Sequence, residues 1–272
     1  MKKHKKILFL LKERSYGSTS KGFTTGLLNS ATFVVLFLRN HGYEVDVKVI
    51  ADSNSIDREV TQYNPDIVVL EALWFTPEKI KEILSLKRHK HREWVIRIHS
   101  KAPFLANEGI SIEWINGYVK LGLKNLFIAP NTEELTDQFK HVFHQGNFIC
   151  LPNVYFIKPY EASPKYDKHA LDVGCFGAVR PMKNQFQQAI AAIEVAESLG
   201  KRLNFHINAA RVEQGGENVL KNLRSLFKGS NHKLVEHGWL DHSAFLSLIS
   251  SMDFGSQVSF SESFNIVTAD FV

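Results

Sequence analysis

Leu171-Asp-Val-Gly-Cys-Phe-Gly-Ala-Val-Arg-Pro-Met-Lys183 runs directly into Asn184-Gln-Phe-Gln-Gln-Ala-Ile-Ala-Ala-Ile-Glu-Val-Ala-Glu-Ser-Leu199, and how these residues are read decides the fold. Leu171–Phe176 is a short apolar run of strand character, whereas Asn184–Leu199 repeats its apolar residues at the helical period. The same alternation continues downstream with strand Leu203–Ile207, helix Glu213–Phe227, strand Lys233–Glu236, helix Ser243–Ser250 and strand Asp253–Val258. Upstream, strands are expected at Ile7–Leu11, Glu44–Ile50, Asp66–Leu70, Trp94–His99, Asn125–Ala129 and Phe148–Leu151. Helices are expected between them near Gly26–Asn40, Ser55–Gln62, Pro77–Leu86, Ile110–Leu121 and Glu133–Phe143. Strands and helices in strict alternation build parallel sheets covered by helices, the α/β class. The rhythm breaks once, from Pro152 to His169, where three prolines and mixed charge suit a linker. The expected organisation is therefore two Rossmann-like domains, 1–155 and 156–272, facing a ligand cleft.

Composition limits the function classes. Of the 272 residues 44% are hydrophobic and 22% charged, as in a soluble globular protein. No apolar run approaches the ~20 residues of a membrane-spanning helix. The opening Met1-Lys-Lys-His-Lys-Lys and Ile7-Leu-Phe-Leu-Leu11 imitate a signal peptide, but five apolar residues that run into Lys12, Glu13 and Arg14 read as a first strand. Cys150 and Cys175 offer neither metal-ligand spacing nor a disulfide framework, which fits a cytoplasmic protein, and no metal site is expected. The net charge of +5 leans only slightly towards polyanionic partners over a plain solvated surface.

The most specific signal is Ser259-Phe-Ser-Glu-Ser-Phe-Asn-Ile-Val-Thr-Ala-Asp270. Glu262 sits at the end of the expected strand, with Asp270 eight residues on. In a continuous helix that is about 12 Å along the axis and roughly 80° around it, so both acids can face one cleft. A ligand carrying two polyol groups joined by a diphosphate matches that separation. The helix start near Phe264, Asn265 and Ile266 would offer backbone N–H groups to the anion. A second motif, Gly177-Ala-Val-Arg180-Pro-Met-Lys183, places a guanidinium and an ammonium at a strand end, where they can neutralise a diphosphate leaving group.

The C-terminal segment resembles the E-x7-E motif of retaining GT-B glycosyltransferases, with aspartate as the second acid, and Gly177–Lys183 is similar to the same group's G-R/K stretch. The resemblance implies a GT-B fold in which Glu262 contacts the donor sugar, Asp270 the nucleotide ribose, and Arg180 with Lys183 the diphosphate. It also implies a second domain left incomplete where the chain ends, in the helix bearing Asp270.

Further candidates follow from strand ends. His99, closing the fourth strand, can hydrogen-bond a sugar hydroxyl or stabilise charge at the reacting centre, and the resemblance places a histidine there. Ser100, Lys101 and Glu108 beyond it are candidates for acceptor recognition, as are Gly17 and Ser18 in the polar glycine-containing loop after the first strand. Arg211 follows a strand in Asn208-Ala-Ala-Arg211, and Leu234-Val-Glu-His-Gly-Trp239-Leu240 is similar to the family's nucleobase turn, with Trp239 beside the base. Trp74 and Trp114 read as packing. There is no GxGxxG fingerprint, so no dinucleotide cofactor is expected.

The expected function is sugar transfer from a nucleoside-diphosphate sugar, metal-independent and with retention, to an unknown acceptor. The acceptor classes are a glycan, a lipid-linked sugar, or a modified DNA base as in phage-type transferases of this look. Two alternatives are a nucleotide-sugar epimerase on the same fold and a catalytically silent nucleotide-sugar or nucleic-acid binding module.

Overall fold

The computed structural model describes residues 5–13, 26–156 and 169–272, which fall into two compact units divided after Phe156. Gly17 and Ser18 lie outside the described residues.

The first unit runs β1 (Lys6–Lys12), α1 (Gly26–Asn40), β2 (Glu44–Ile50), α2 (Ser55–Tyr63), β3 (Ile67–Glu71), α3 (Pro77–Ser85), β4 (Glu93–Ile98), α4 (Ala102–Asn107), α5 (Ser111–Lys120), β5 (Leu126–Pro130) and α6 (Glu133–Val142). Its five strands pair in the order β2-β1-β3-β4-β5, every ladder parallel. The apolar run in β1 is continuous because both sheet faces are covered. Leu8 and Leu10 enter one core with Ile56, Ile80 and Trp94, while Ile7, Phe9 and Leu11 enter another with Ala31, Val34 and Val35 of α1. Helix starts follow local chemistry: Thr76 accepts from the Lys79 N–H with Pro77 in the first turn of α3, and Thr132 accepts from the Leu135 N–H at α6.

The second unit runs β6 (Ala170–Gly174), α7 (Gln185–Ser198), β7 (Arg202–Asn208), α8 (Gly216–Phe227), β8 (Lys233–His237), α9 (His242–Ile249), β9 (Phe254–Gly255) and α10 (Ile266–Phe271). Its strand order is β8-β7-β6-β9, again all parallel. The sequence of β7, Arg-Leu-Asn-Phe-His-Ile-Asn, alternates with period two. Leu203, Phe205 and Ile207 join the core of α7 and α8, and the intervening Asn204 and His206 turn to Asp172 on the opposite face.

Three expected elements differ and one is added. Phe148–Leu151 forms a single parallel bridge, Phe148 to Ile128, in place of a sixth strand. The strand expected over Asp253–Val258 shortens to Phe254–Gly255: the Ser256 N–H still donates to the Gly174 carbonyl of β6, but the Val258 N–H turns to the side chain of Gln188, which also accepts from Ser256 Oγ. An extra helix, α4, precedes α5; its signal is Pro103 in the first turn. Helix α10 begins only at Ile266, so Glu262 and Asp270 are not joined by a continuous helix and the 12 Å spacing does not apply.

Candidate functional site

In both sheets the strand order reverses, and such a reversal opens a crevice at the carboxyl ends of the strands on either side of it. In the second unit the reversal falls between β6 and β9. The loop after β6 carries Gly177, Arg180 and Lys183; the loop after β9 carries Glu262. The two loops are laced together: the Phe260 N–H donates to the Met182 carbonyl at 3.0 Å, and the Asn184 amide donates to the Val258 carbonyl at 3.2 Å. Gln188, buried in the first turn of α7, accepts from Ser256 Oγ and the Val258 N–H and donates to the Lys183 carbonyl, each at 2.8 Å.

Within this frame the Lys183 ammonium hydrogen-bonds Glu262 Oε1, both side chains mostly buried. Gly177 lies beside Lys183 at φ +108°, a backbone conformation that excludes most other residues, and its N–H donates to Asn208 Oδ1 at 2.9 Å. Next along the loop, Arg180 reaches Glu213 Oε2 at 3.5 Å while Arg211 Nε donates to Glu213 Oε1 at 2.7 Å. Glu213 thus gathers two cations that lie 31 positions apart in sequence, and a parallel bridge between Val179 and Val212 holds their backbones side by side. The Arg211 guanidinium stands 6.0 Å from the centre of the Trp239 ring. Cys175 lies beneath this loop with its thiol pushed up to about 12 by burial, against the pull of the Lys183 charge, and is inert.

The α10 N-terminus, expected to offer N–H groups to an anion, is capped by a side chain of its own turn. Asn265 Oδ1 itself accepts from the Val267 and Thr268 N–H groups, and its amide donates to Gln257 Oε1 at 3.1 Å. Phe264, Asn265 and Ile266 therefore form a capped turn, with the cap supplied by the protein's own side chain. Asp270 is also placed differently from the ligand-facing acid expected: its carboxylate is 3% exposed and accepts from His242 Nε2 at 2.8 Å, tying α10 to α9.

In the first unit His99 lies just past β4, and its Nε2 meets Glu71 Oε2 at the end of β3. Glu71 and Arg97 are register partners on adjacent strands, both fully buried, with Arg97 Nη1 donating to Glu71 Oε1 at 3.0 Å. Burial alone would push the Glu71 carboxyl up, but the Arg97 and His99 charges beside it outweigh this and hold it below the usual carboxylate range. Burial pushes the His99 imidazole down, only partly opposed by Glu71. Two of the acceptor-side candidates have structural partners: Lys101 pairs with Glu134 at 2.6 Å, and Glu108 accepts from Ser111 Oγ at 2.6 Å at the start of α5. Ser100 is half-buried beside His99. Trp74 and Trp114 pack on the core, as expected.

Sequence reasoning passed over Glu71, Arg97, Glu213 and His242. Glu71 and Arg97 did carry a signal, a carboxylate closing Ile-Val-Val-Leu-Glu71 and a cation inside Trp94-Val-Ile-Arg-Ile98, since charges in buried strands need a reason. Glu213 and His242 carried none.

No protein-family model and no curated protein matches the chain. Among solved structures it is similar to an α,α-trehalose-phosphate synthase (UDP-forming) from Burkholderia vietnamiensis, with TM-score 0.58 and 8% identity over 98% of this chain and 80% of that one. It is also similar to a trehalose-6-phosphate synthase studied for glycosyl transfer with retention, with TM-score 0.56 and 10% identity over 97% and 80% of the two chains. A third match, TarM, has TM-score 0.50 and 14% identity over 75% of this chain, which spans 38% of TarM's length. The shared feature is the fold: two Rossmann-like α/β units with parallel sheets, the GT-B class.

Proposed function

We propose that the chain transfers a sugar from a nucleoside-diphosphate sugar to an acceptor hydroxyl, with retention of anomeric configuration. The observation that carries this reading is the Lys183–Glu262 pair at the topological switch point between β6 and β9. A crevice at that place in a parallel sheet is where α/β folds take up ligands, and it holds both the cation a diphosphate needs and the acceptor a sugar hydroxyl needs. Without ligand the two groups neutralise each other. With a donor bound, Lys183 turns to the diphosphate alongside Arg180, and Glu262 accepts from the sugar. As the anomeric C–O bond breaks, the electron pair leaves on the diphosphate, where the two cations offset the developing charge. Gly177 is assigned to let the backbone approach the phosphates and the Arg211–Trp239 pair to meet the nucleoside; His99, within the first unit, is assigned on its own account to hydrogen-bond a sugar hydroxyl. The Asp270 contact to ribose enters this proposal only if its carboxylate leaves His242.

A nucleoside diphosphate as leaving group is supported by the UDP-forming synthase of like fold, and retention by the synthase studied for retaining transfer. The acceptor class, whether glycan, lipid-linked sugar or modified DNA base, is left to the assay; a DNA acceptor predicts duplex binding that weakens steeply with salt.

The test is a panel of nucleoside-diphosphate sugars incubated with the protein and followed by mass spectrometry, repeated with Glu262→Ala and Lys183→Met. The expected result is consumption of one donor, with Lys183→Met weakening its binding about tenfold to a hundredfold, the worth of one or two charge-assisted hydrogen bonds. If no donor binds at millimolar concentration, the reading fails. Binding without turnover would make the chain a recognition module, and a changed donor sugar without acceptor would make it an epimerase.

A further inference from the structure

Only His99 of the first unit's buried cluster enters the reading above, yet its neighbours are the more unusual. Glu71 and Arg97 are both fully buried, and removing two charges from water costs more than a plain ion pair returns unless the remaining hydrogen-bonding atoms are also used. Here they are used. Glu71 spends one oxygen on Arg97 Nη1 and the other on His99 Nε2. Arg97 donates its other N–H groups to the Leu151 carbonyl at 3.2 Å, the Pro152 carbonyl at 2.9 Å and Asn153 Oδ1 at 2.6 Å. One carboxylate thereby joins the histidine to the segment with which the chain leaves the first unit.

The backbone next to Glu71 is constrained as well. Ala72 turns at φ +68°, a region that a residue with a Cβ seldom occupies, and its N–H donates to the Arg97 carbonyl at 3.0 Å. Trp74 Nε1 closes the turn on the Glu71 carbonyl at 2.8 Å. Strain of this kind persists where the surroundings over-determine it, and it gathers at functional sites.

We propose that Glu71 is a positioning residue that, seated on Arg97, receives the Nε2 proton of His99 and so fixes the imidazole tautomer whose Nδ1 is a hydrogen-bond acceptor. Whatever meets Nδ1 must then be a donor. A hydroxyl, such as those of a sugar, qualifies; a phosphate or carbonyl oxygen does not. The choice of ligand class rests on the sugar-transfer reading, whereas the tautomer rests on the Glu71 geometry alone.

Both parts are tested on the full chain labelled with 15N-histidine at pH about 7.5, where long-range proton–nitrogen correlation spectra distinguish the two tautomers. The His99 signals are identified by their loss in His99→Gln. The wild type should show His99 protonated on Nε2. Glu71→Gln keeps an acceptor and should retain this tautomer. The double variant Glu71→Leu/Arg97→Met removes both charges together, which leaves no orphaned ion, and should show exchange between tautomers. With the donor identified by the sugar panel, kcat/KM of the double variant should fall about tenfold at a temperature where urea unfolding shows the variant still fully folded. A wild-type His99 protonated on Nδ1, or a double variant that keeps the Nε2–H form, overturns the proposal. A tautomer shift with unchanged kcat/KM overturns the ligand-class half. If the tautomers behave as expected but no nucleotide sugar binds, the positioning role stands and the sugar-transfer reading falls.

Discussion

Glu71 and Arg97 show how much a single buried pair can weigh. Because both side chains are fully buried, deleting one leaves the other charged and desolvated without its partner, whereas deleting both leaves no buried ion, only the Leu151 and Pro152 carbonyls, Asn153 and His99 short of one hydrogen bond each. Glu71→Ala is therefore expected to destabilise the first unit by about 3–5 kcal/mol, and Glu71→Leu/Arg97→Met by much less, as measured by urea unfolding. If single and double variants lose equal stability, the two residues do not act as a pair. At the same scale Lys183 and Glu262 lie 79 positions apart and meet only in the folded chain. Their residue types and places at strand ends were readable in advance; their hydrogen bond to each other was not, because it depends on the strand order.

At the scale of elements, two glycines hold pieces of the second unit against one another. A Cβ on Gly216, the first residue of α8, would stand 2.0 Å from the Val179 carbonyl oxygen. That obstacle is backbone, so Gly216→Ala must drive α8 away from the loop bearing Arg180. The expected result is weaker donor binding together with a lower thermal midpoint, while a variant that binds and melts like the wild type would show that the loop can give way. A Cβ on Gly255 would stand 2.5–2.7 Å from the Phe271 ring, which seats α10 on the β6–β9 ladder. Gly255→Ala is expected to cost about 1–3 kcal/mol through overpacking. Much of that cost should vanish in the background Phe271→Ala, since neighbouring sites are not additive. Full additivity in that cycle would show that Phe271 is not what the new methyl strikes. The elements also show where periodicity fails as a guide. Ser256–Val258 looks like strand, yet the Ser256 hydroxyl and the Val258 N–H both go to the Gln188 side chain, a competition that no local pattern records.

For the whole molecule, the shifted groups share one direction of response to acid. His89, His99 and His237 are held below the ordinary histidine value, in each case first by burial. An unfolded chain therefore takes up protons before the folded one as pH falls through about 6.5. The Arg88 guanidinium on Asp57 holds that carboxyl well below the usual range, and Glu71 is likewise depressed, so a second loss of stability begins below about pH 4. The urea midpoint should thus be highest near pH 7.5, lower at about pH 5.5 and lower again near pH 3.5. A midpoint flat from pH 7.5 to 5.5 would show that the buried histidines do not protonate more readily in the unfolded chain.

The amino-acid sequence by itself determined the α/β class, the two-part organisation of the elements and most of their positions, because strand and helix periods and capping residues such as Thr76 and Thr132 are local properties. It also singled out Arg180, Lys183, Glu262 and His99 by residue type at strand ends. Only the tertiary structure decided which groups meet: Lys183 with Glu262, Glu213 between Arg180 and Arg211, Asp270 with His242, and Glu71 with His99. Strand order and register set these meetings, and order and register are properties of the packed sheet that no single segment of the chain carries.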